Sequence, residues 1–254
     1  GGGAAAVEWG SIFTCTAHSM PVHGIAVEPT TGEIVSVSWD GTCRLFQPRP
    51  PTDGGDEDAA ERGPRYVEKW STEGRRGKGL YSVAFGPESE GAVRMLAMGC
   101  VDWTCHLVSA ADGRDMGRLS GHTGEVNAVC FSSEGLLASV SDDRCCKVWS
   151  PATASPVATL DGAHTREVYG CSFSPAHPHT LATAGFDKAV VVWDTRTARP
   201  EAHLEGHADD VIGAHWAPDG VHLATGSDDG TCRVWDARNT GGPVLCLEHG
   251  DEVK

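Results

Sequence analysis

Short apolar stretches, in which every second residue shares one side, run through the chain from Val22 to Trp235 and are closed by Gly, Pro, Asn or Asp. Alternation with a period of two predicts half-buried β-strands, and turn residues every 8 to 12 positions or so predict an all-β architecture of many short strands. The pattern also recurs. His122, His164, His207 and His249 follow one another at intervals of 42, 43 and 42 residues. Each interval holds a strand ending on an aromatic, a turn with Pro or Gly, a small-residue strand, an Asp turn and a strand ending in Trp. Repeats of this length with four strands each are the mark of propeller blades.

Five copies are legible. Segment 207–236, HADDVIGAHWAPDGVHLATGSDDGTCRVWD, aligns with HTREVYGCSFSPAHPHTLATAGFDKAVVVWD from 164 and HTGEVNAVCFSSEGLLASVSDDRCCKVW from 122. HSMPVHGIAVEPTTGEIVSVSWDGTCRLF from 18 is a fourth copy, with Phe46 where the others have Trp. RGKGLYSVAFGPESEGAVRMLAMGCVDWTCHLV from 76 is a fifth, and of the marker residues it retains Asp102 alone. The blade repeats are therefore expected at about 18–47, 76–109, 122–150, 164–194 and 207–236 of a single domain. Residues 48–65 read as an acidic Pro/Gly-rich loop, and 244–254 as the start of a further repeat.

The Gly-His starts, the core LATGSDDGTCRVWD and the Trp-Asp ends resemble the WD40 family of β-propellers, over essentially the whole chain. Segment 207–236 is locally similar to blades of heterotrimeric G-protein β subunits and of a splicing-factor WD40 protein. The resemblance implies a propeller of about seven blades, so these five are expected to belong to a larger ring, with Val7–Thr14 as a spare fourth strand. It also implies a non-enzymatic scaffold within a multiprotein complex.

Composition narrows the partners. With 254 residues, 40% of them hydrophobic, the chain is long enough to bury a large core. Its longest apolar run, around Ala189–Trp193, falls far short of the roughly 20 residues of a membrane-spanning helix. The first residues carry no basic segment of the signal-peptide kind and no initiator Met, which suggests a piece of a longer protein. A net charge of −15 opposes direct nucleic-acid binding, and part of it lies in the solvated segment Asp53–Glu61. The ten cysteines lack the spacing of zinc or redox motifs. Cys43, Cys105, Cys146 and Cys232 share one repeat position, before Phe46, Val108, Trp149 and Trp235, and are expected to be buried free thiols of an intracellular, reducing compartment. No metal site and no cofactor is expected.

Ser, His and Asp within one repeat have the composition of a nucleophilic triad. The set occurs four times, however, and its hydroxyl is Thr in two copies, whereas an active site is normally unique. The WD40 resemblance assigns these residues to structural tetrads: His18, Ser36 and Asp40 with Phe46; His122, Ser139, Asp143 and Trp149; His164, Thr183, Asp187 and Trp193; His207, Thr225, Asp229 and Trp235. Arg76, Met98 and Val108 stand at the equivalent places of the second repeat and cannot build the network, so that blade is expected to be the softest.

Function is then expected where the repeats differ. By register, Trp39, Asp142, Phe186 and Asp228 precede the tetrad Asp, Tyr81, Tyr169 and Ile212 follow the first apolar residue of strand one, and Glu125, Glu167 and Asp210 precede it. Aromatics among acids suggest a face for a basic peptide or protein segment. Two further features offer alternatives. Arg196 and Arg238, after Trp-Asp, match the box by which WD40 substrate receptors of cullin-type ubiquitin ligases dock their adaptor. The basic stretch Arg62–Gly79, with Tyr66 and Trp70, is either an RNA contact of a splicing-type component or the fourth strand of blade one with its loop.

Overall fold

The computed structural model describes residues 16–49, 66–72, 79–88, 93–239 and 241–249. Their strands form five antiparallel sheets of four, each in sequential order. Blade one contains β1 (Val22–Val27), β2 (Ile34–Ser38), β3 (Cys43–Pro48) and β4 (Tyr66–Ser71). Blade two contains β5 (Leu80–Phe85), β6 (Met95–Cys100), β7 (Thr104–Ser109) and β8 (Asp115–Ser120). Blade three contains β9 (Val126–Phe131), β10 (Leu137–Ser141), β11 (Cys146–Ser150) and β12 (Ser155–Leu160). Blade four contains β13 (Val168–Phe173), β14 (Thr180–Gly185), β15 (Val190–Asp194) and β16 (Arg199–Leu204). Blade five contains β17 (Val211–Trp216), β18 (His222–Ser227), β19 (Thr231–Asp236) and β20 (Leu245–Glu248).

The same local rules build every blade. Between the second and third strands the chain turns through a residue with positive φ directly after the tetrad Asp: Gly41, Trp103, Arg144, Lys188 and Gly230, with φ between 66° and 79°. The Asp carboxylate caps that turn from one side, as Asp143 Oδ1 does by accepting the Cys145 amide at 3.0 Å. Local side-chain bonding of this kind is the reason Asp favours such turns. The second strands of blades one to four are buried on both faces, while in blade five β18 alternates buried and half-buried residues. Leu137, Ala138, Val140, Leu181, Ala182 and Ala184 have no exposed surface at all.

Blades stack through apolar layers. Val35, Val37 and Leu45 of blade one pack with Leu80, Val83 and Leu96 of blade two, and equivalent layers join each later pair. The innermost strands succeed one another as β1, β5, β9, β13 and β17. The larger ring of about seven blades expected from the repeats is corrected by this arrangement: among the described residues the propeller consists of five blades. The segment from 244 onward, expected to open another repeat, supplies β20, which pairs with β19 as the fourth strand of blade five. Val7–Thr14, Asp53–Glu61 and Arg76 lie outside the described residues.

Blade one carries the least covered apolar face. Ile25 is 68% exposed, whereas Val83, Val129, Cys171 and Ala214 at its register in the other blades are buried. A cleft of about 210 Å³ lies against this face, lined by residues that include His18, Val22, Ile25, Phe46 and Tyr66.

Candidate interaction face

The tetrads hold the loops that make the face. In blade three His122 Nδ1 lies 2.8 Å from Asp143 Oδ2, its Nε2 lies 2.7 Å from Ser139 Oγ, and the Trp149 indole N–H donates to Ser139 Oγ at 2.8 Å. Blades four and five repeat this through Thr183 and Thr225, with indole bonds from Trp193 and Trp235 of 2.8 and 2.9 Å. Since a carboxylate only accepts, Nδ1 carries the imidazole proton; the hydroxyl then donates to Nε2 and accepts from the indole. Every polar group is satisfied. The hydroxyls of Ser139 and Thr183 are fully buried, and their lone pairs are engaged, which leaves no nucleophile open to a substrate. Blade one keeps the His18 to Ser36 contact at 2.7 Å and a longer one to Asp40 at 3.3 Å, while Phe46 provides no indole donor.

The tetrad Asp also fixes the loop ahead of strand one. Asp40, Asp143, Asp187 and Asp229 accept backbone N–H bonds from Ser19, Thr123, Thr165 and Ala208 at 2.7 to 2.9 Å. Burial pushes the Asp143 carboxyl up, but the bonds from His122 and the Thr123 amide outweigh it, and its pKa is lowered to about 2. Asp187 is lowered in the same way through His164 and Thr165. His207 is lowered, chiefly by burial, against the opposing pull of Asp229.

Two backbone devices then bring the candidate face residues together. In each blade the N–H of the residue before the tetrad Asp bonds to a carbonyl just ahead of strand one. The pairs are Trp39 to Pro21, Val101 to Gly79, Asp142 to Glu125, Phe186 to Glu167 and Asp228 to Asp210, at 2.9 to 3.1 Å. The second device is a register shift near the start of strand one in all five blades. The residues it leaves out of the ladder are His23, Tyr81, Asn127, Tyr169 and Ile212. A β-bulge re-aims the extra side chain, so these five stand beside the turn residues. Sequence register alone groups the positions, and the bulge is the physical reason.

Three zones result. At blades one and two, His23, Trp39 and Tyr81 form an aromatic cluster with ring centroids 5.2 to 5.6 Å apart. Gly79 makes room for it, since a Cβ there would meet the Trp39 ring at 2.6 Å. The Tyr81 hydroxyl donates to Glu125 Oε2 at 2.6 Å and leads into an acidic centre. There Asn127 Nδ2 donates to Asp142 Oδ1 at 2.8 Å and to the Val168 carbonyl at 3.0 Å. Burial, with the charges of Glu125 and Glu167, raises the Asp142 pKa, and burial with the same acids and Asp210 raises Tyr169. In the third zone Tyr169 and Phe186 stack with centroids 4.0 Å apart and planes 4° from parallel.

Arg166 completes that third zone, and the sequence reading missed it. Its guanidinium carbon sits 5.7 Å from the Phe186 ring centroid, and Nη1 donates to the Phe186 carbonyl at 3.0 Å and lies 3.4 Å from Asp210 Oδ1. The aromatic and acidic surface thus already holds one cation from its own chain. Its position next to Glu167 was the available signal. Ile212 and Asp228 share the register, and the Asp228 amide bonds to the Asp210 carbonyl at 2.9 Å.

The other candidates lie elsewhere. Arg196 and Arg238 each turn back on the Asp two residues earlier, Nε and Nη2 reaching Asp194 at 3.1 and 3.2 Å and Asp236 at 2.9 and 2.8 Å. Within the basic stretch, Tyr66–Ser71 is the fourth strand of blade one. Its Trp70 packs against the core and donates to the Ala110 carbonyl at 3.1 Å.

Comparison with known proteins agrees with this geometry. The sequence pattern of the family described as WD domain, G-beta repeat matches residues 9–47, 113–150, 154–194 and 198–236. The stretch it passes over contains most of blade two. A guanine nucleotide-binding protein subunit beta of Arabidopsis thaliana is 30% identical over 186 residues, 68% of this chain and 48% of that protein. A probable cytosolic Fe-S cluster assembly factor of Schizosaccharomyces japonicus is 35% identical over 122 residues, 47% of this chain and 20% of its own length. The chain thus spans about half or less of these relatives. Among solved structures, the WD40 β-propeller domain of Doa1 superposes with a TM-score of 0.71 at 24% identity, over 92% of this chain and 71% of that one.

Proposed function

The chain belongs to the WD40 family, and from that premise we propose that it is a non-catalytic platform whose bulge-and-turn face holds a basic segment of a partner protein within a larger assembly. The observation that carries this reading is the acidic centre of Glu125, Asp142 and Glu167 set between two aromatic groups, Trp39 with Tyr81 and Tyr169 with Phe186. Rigid aromatics supply contact area, and partly desolvated carboxylates supply a field that favours Arg or Lys. Arg166 over Phe186 illustrates the chemistry on a small scale. An intracellular, reducing location suits the nine cysteines that are free thiols among the described residues. No helix among these residues is long and apolar enough to cross a membrane.

The ligase-receptor and RNA readings draw less support. Arg196 and Arg238 are engaged by their own Asp residues, and Trp70 is turned inward. The test is affinity capture with mass spectrometry, comparing wild type with a folded Trp39→Ala, Phe186→Ala variant, together with titration of an Arg-rich peptide. The captured set should vanish with the variant. The peptide should bind at least about tenfold more weakly to Asp142→Lys, and more weakly again as salt is raised. Capture and peptide binding that ignore both changes would remove this face from consideration.

A further inference from the structure

Blade two lacks the tetrad, yet its Asp102 is not idle. Cys100, Asp102 and His106 bring one thiol, one carboxylate oxygen and one imidazole nitrogen within 4.8 Å of one another. His106 Nε2 lies 3.2 and 3.3 Å from the two Asp102 oxygens. Cys100 is fully buried, and His106 is 6% exposed. The set belongs to this blade alone. In the strand register, Cys100 stands where the other blades have Ser38, Ser141, Gly185 and Ser227, each opposite the first residue of strand one. His106 pairs with Met98, where the others have Arg44, Lys147, Val191 and Arg233.

We propose that Cys100, Asp102 and His106 form a binding site for a divalent zinc-type cation, which holds the second-to-third strand turn of the blade that has no tetrad. Sulfur, imidazole and carboxylate together are a zinc donor set, and three protein ligands leave a fourth position for water. The spacing of the nitrogen and oxygen donors suits it. With metal–ligand bonds near 2.0 to 2.1 Å, neighbouring N and O ligands of a tetrahedral ion stand about 3.3 Å apart, close to the distances between His106 and Asp102. Supporting bonds also exist: Thr104 Oγ1 donates to Asp102 Oδ1 at 2.6 Å, which orients the carboxylate as outer-shell partners do. Arg118 Nη1, 3.6 Å from Asp102 Oδ2, now provides the positive charge that an ion would replace, and its side chain is 42% exposed and free to withdraw. On binding, the Cys100 thiol releases its proton to solvent and ligates as thiolate. The His106 proton moves from Nε2 to Nδ1, and Asp102 ligates as its carboxylate. One proton is released per ion.

The repeats themselves supply conservative tests. Cys100→Ser installs the residue of three other blades, and His106→Arg that of blades one and five. The full chain, dialysed free of metal, is titrated with Zn²⁺ alone by calorimetry, and with Co²⁺ alone by absorption spectroscopy. The expected result is one ion per chain with a thiolate-to-cobalt charge-transfer band. Affinity should fall at least tenfold in either variant and stay unchanged in Cys105→Ser, two residues beyond the turn. Wild-type binding no tighter than that of the two variants, or cobalt binding without a thiolate band, would overturn the site. If one variant fails to fold by circular dichroism, the other decides.

Discussion

Blades two and four have the same four-strand order and the same bulges, but different polar interiors. In blade four, His164, Thr183, Asp187 and Trp193 link the loop before strand one to the second strand, the turn and the third strand. In blade two the corresponding strand positions carry Met98 and Val108, both nearly fully buried, and Asp102 bonds within its own hairpin to Thr104 and His106. The comparison teaches that apolar layers and strand pairing suffice to make a blade. The tetrad adds a tie across about 20 residues of sequence, and in blade two buried Met98 and Val108 stand where its hydroxyl and indole would be.

The largest effect should come from the residue that serves both purposes. Trp193→Ala removes a buried ring and the indole bond to Thr183, and is expected to destabilise the protein by about 3 to 5 kcal/mol. Val108→Ala at the same register removes two buried methyl groups and should lose about 2 kcal/mol. Urea denaturation measures both. Equal losses would mean that the indole and its bond contribute little beyond volume.

Next comes the carboxylate. Asp187→Ala leaves His164 and the Thr165 amide without their acceptor and should lose about 1 to 3 kcal/mol. Asp102→Ala, whose partners include Thr104 and His106 two and four residues away, should lose less in metal-free protein. A loss at Asp102 as large as at Asp187 would mean that a carboxylate contributes as much without the tetrad's hydroxyl and indole as with them.

The smallest effect is a pH dependence. The folded-state pKa of Asp187 lies below its ordinary value of 3.8, because bonds from His164 and the Thr165 amide outweigh the opposing effect of burial. A depressed carboxylate contributes stability that is full above the unfolded pKa and is lost as pH falls through the folded one. Asp187→Asn should therefore flatten the acid limb of a thermal-midpoint profile below about pH 4. An unchanged slope would show that this carboxylate does not report on the tetrad.

Much of this was legible in the chain. Strand number per repeat and turn positions follow from spacing, because a period-two pattern and an Asp turn are local properties, while the tetrads and the partners of Asp143 and Asp187 were implied by the WD40 resemblance. The grouping of Trp39, Glu125, Asp142, Glu167 and Phe186 was legible for the same reason, since a repeat places equivalent residues at equivalent sites. Arg166 was not, because its contacts reach Phe186 and Asp210, 20 and 44 residues away. His106 was passed over as well, because its meaning depends on which strand residue it faces across the sheet.

By itself, the sequence determined that this protein is an all-β stack of repeated four-strand blades resembling the WD40 family, since alternation and turn chemistry act over a few residues and the His, Ser or Thr, Asp and Trp marks recur once per repeat. Only the tertiary structure decided that the described residues form five blades, that β20 completes the fifth sheet, and that Asp102 meets Cys100 and His106. Those outcomes depend on how faces of neighbouring sheets pack and which side chains then meet. Such contacts are set by three-dimensional register, which spacing along one chain does not encode.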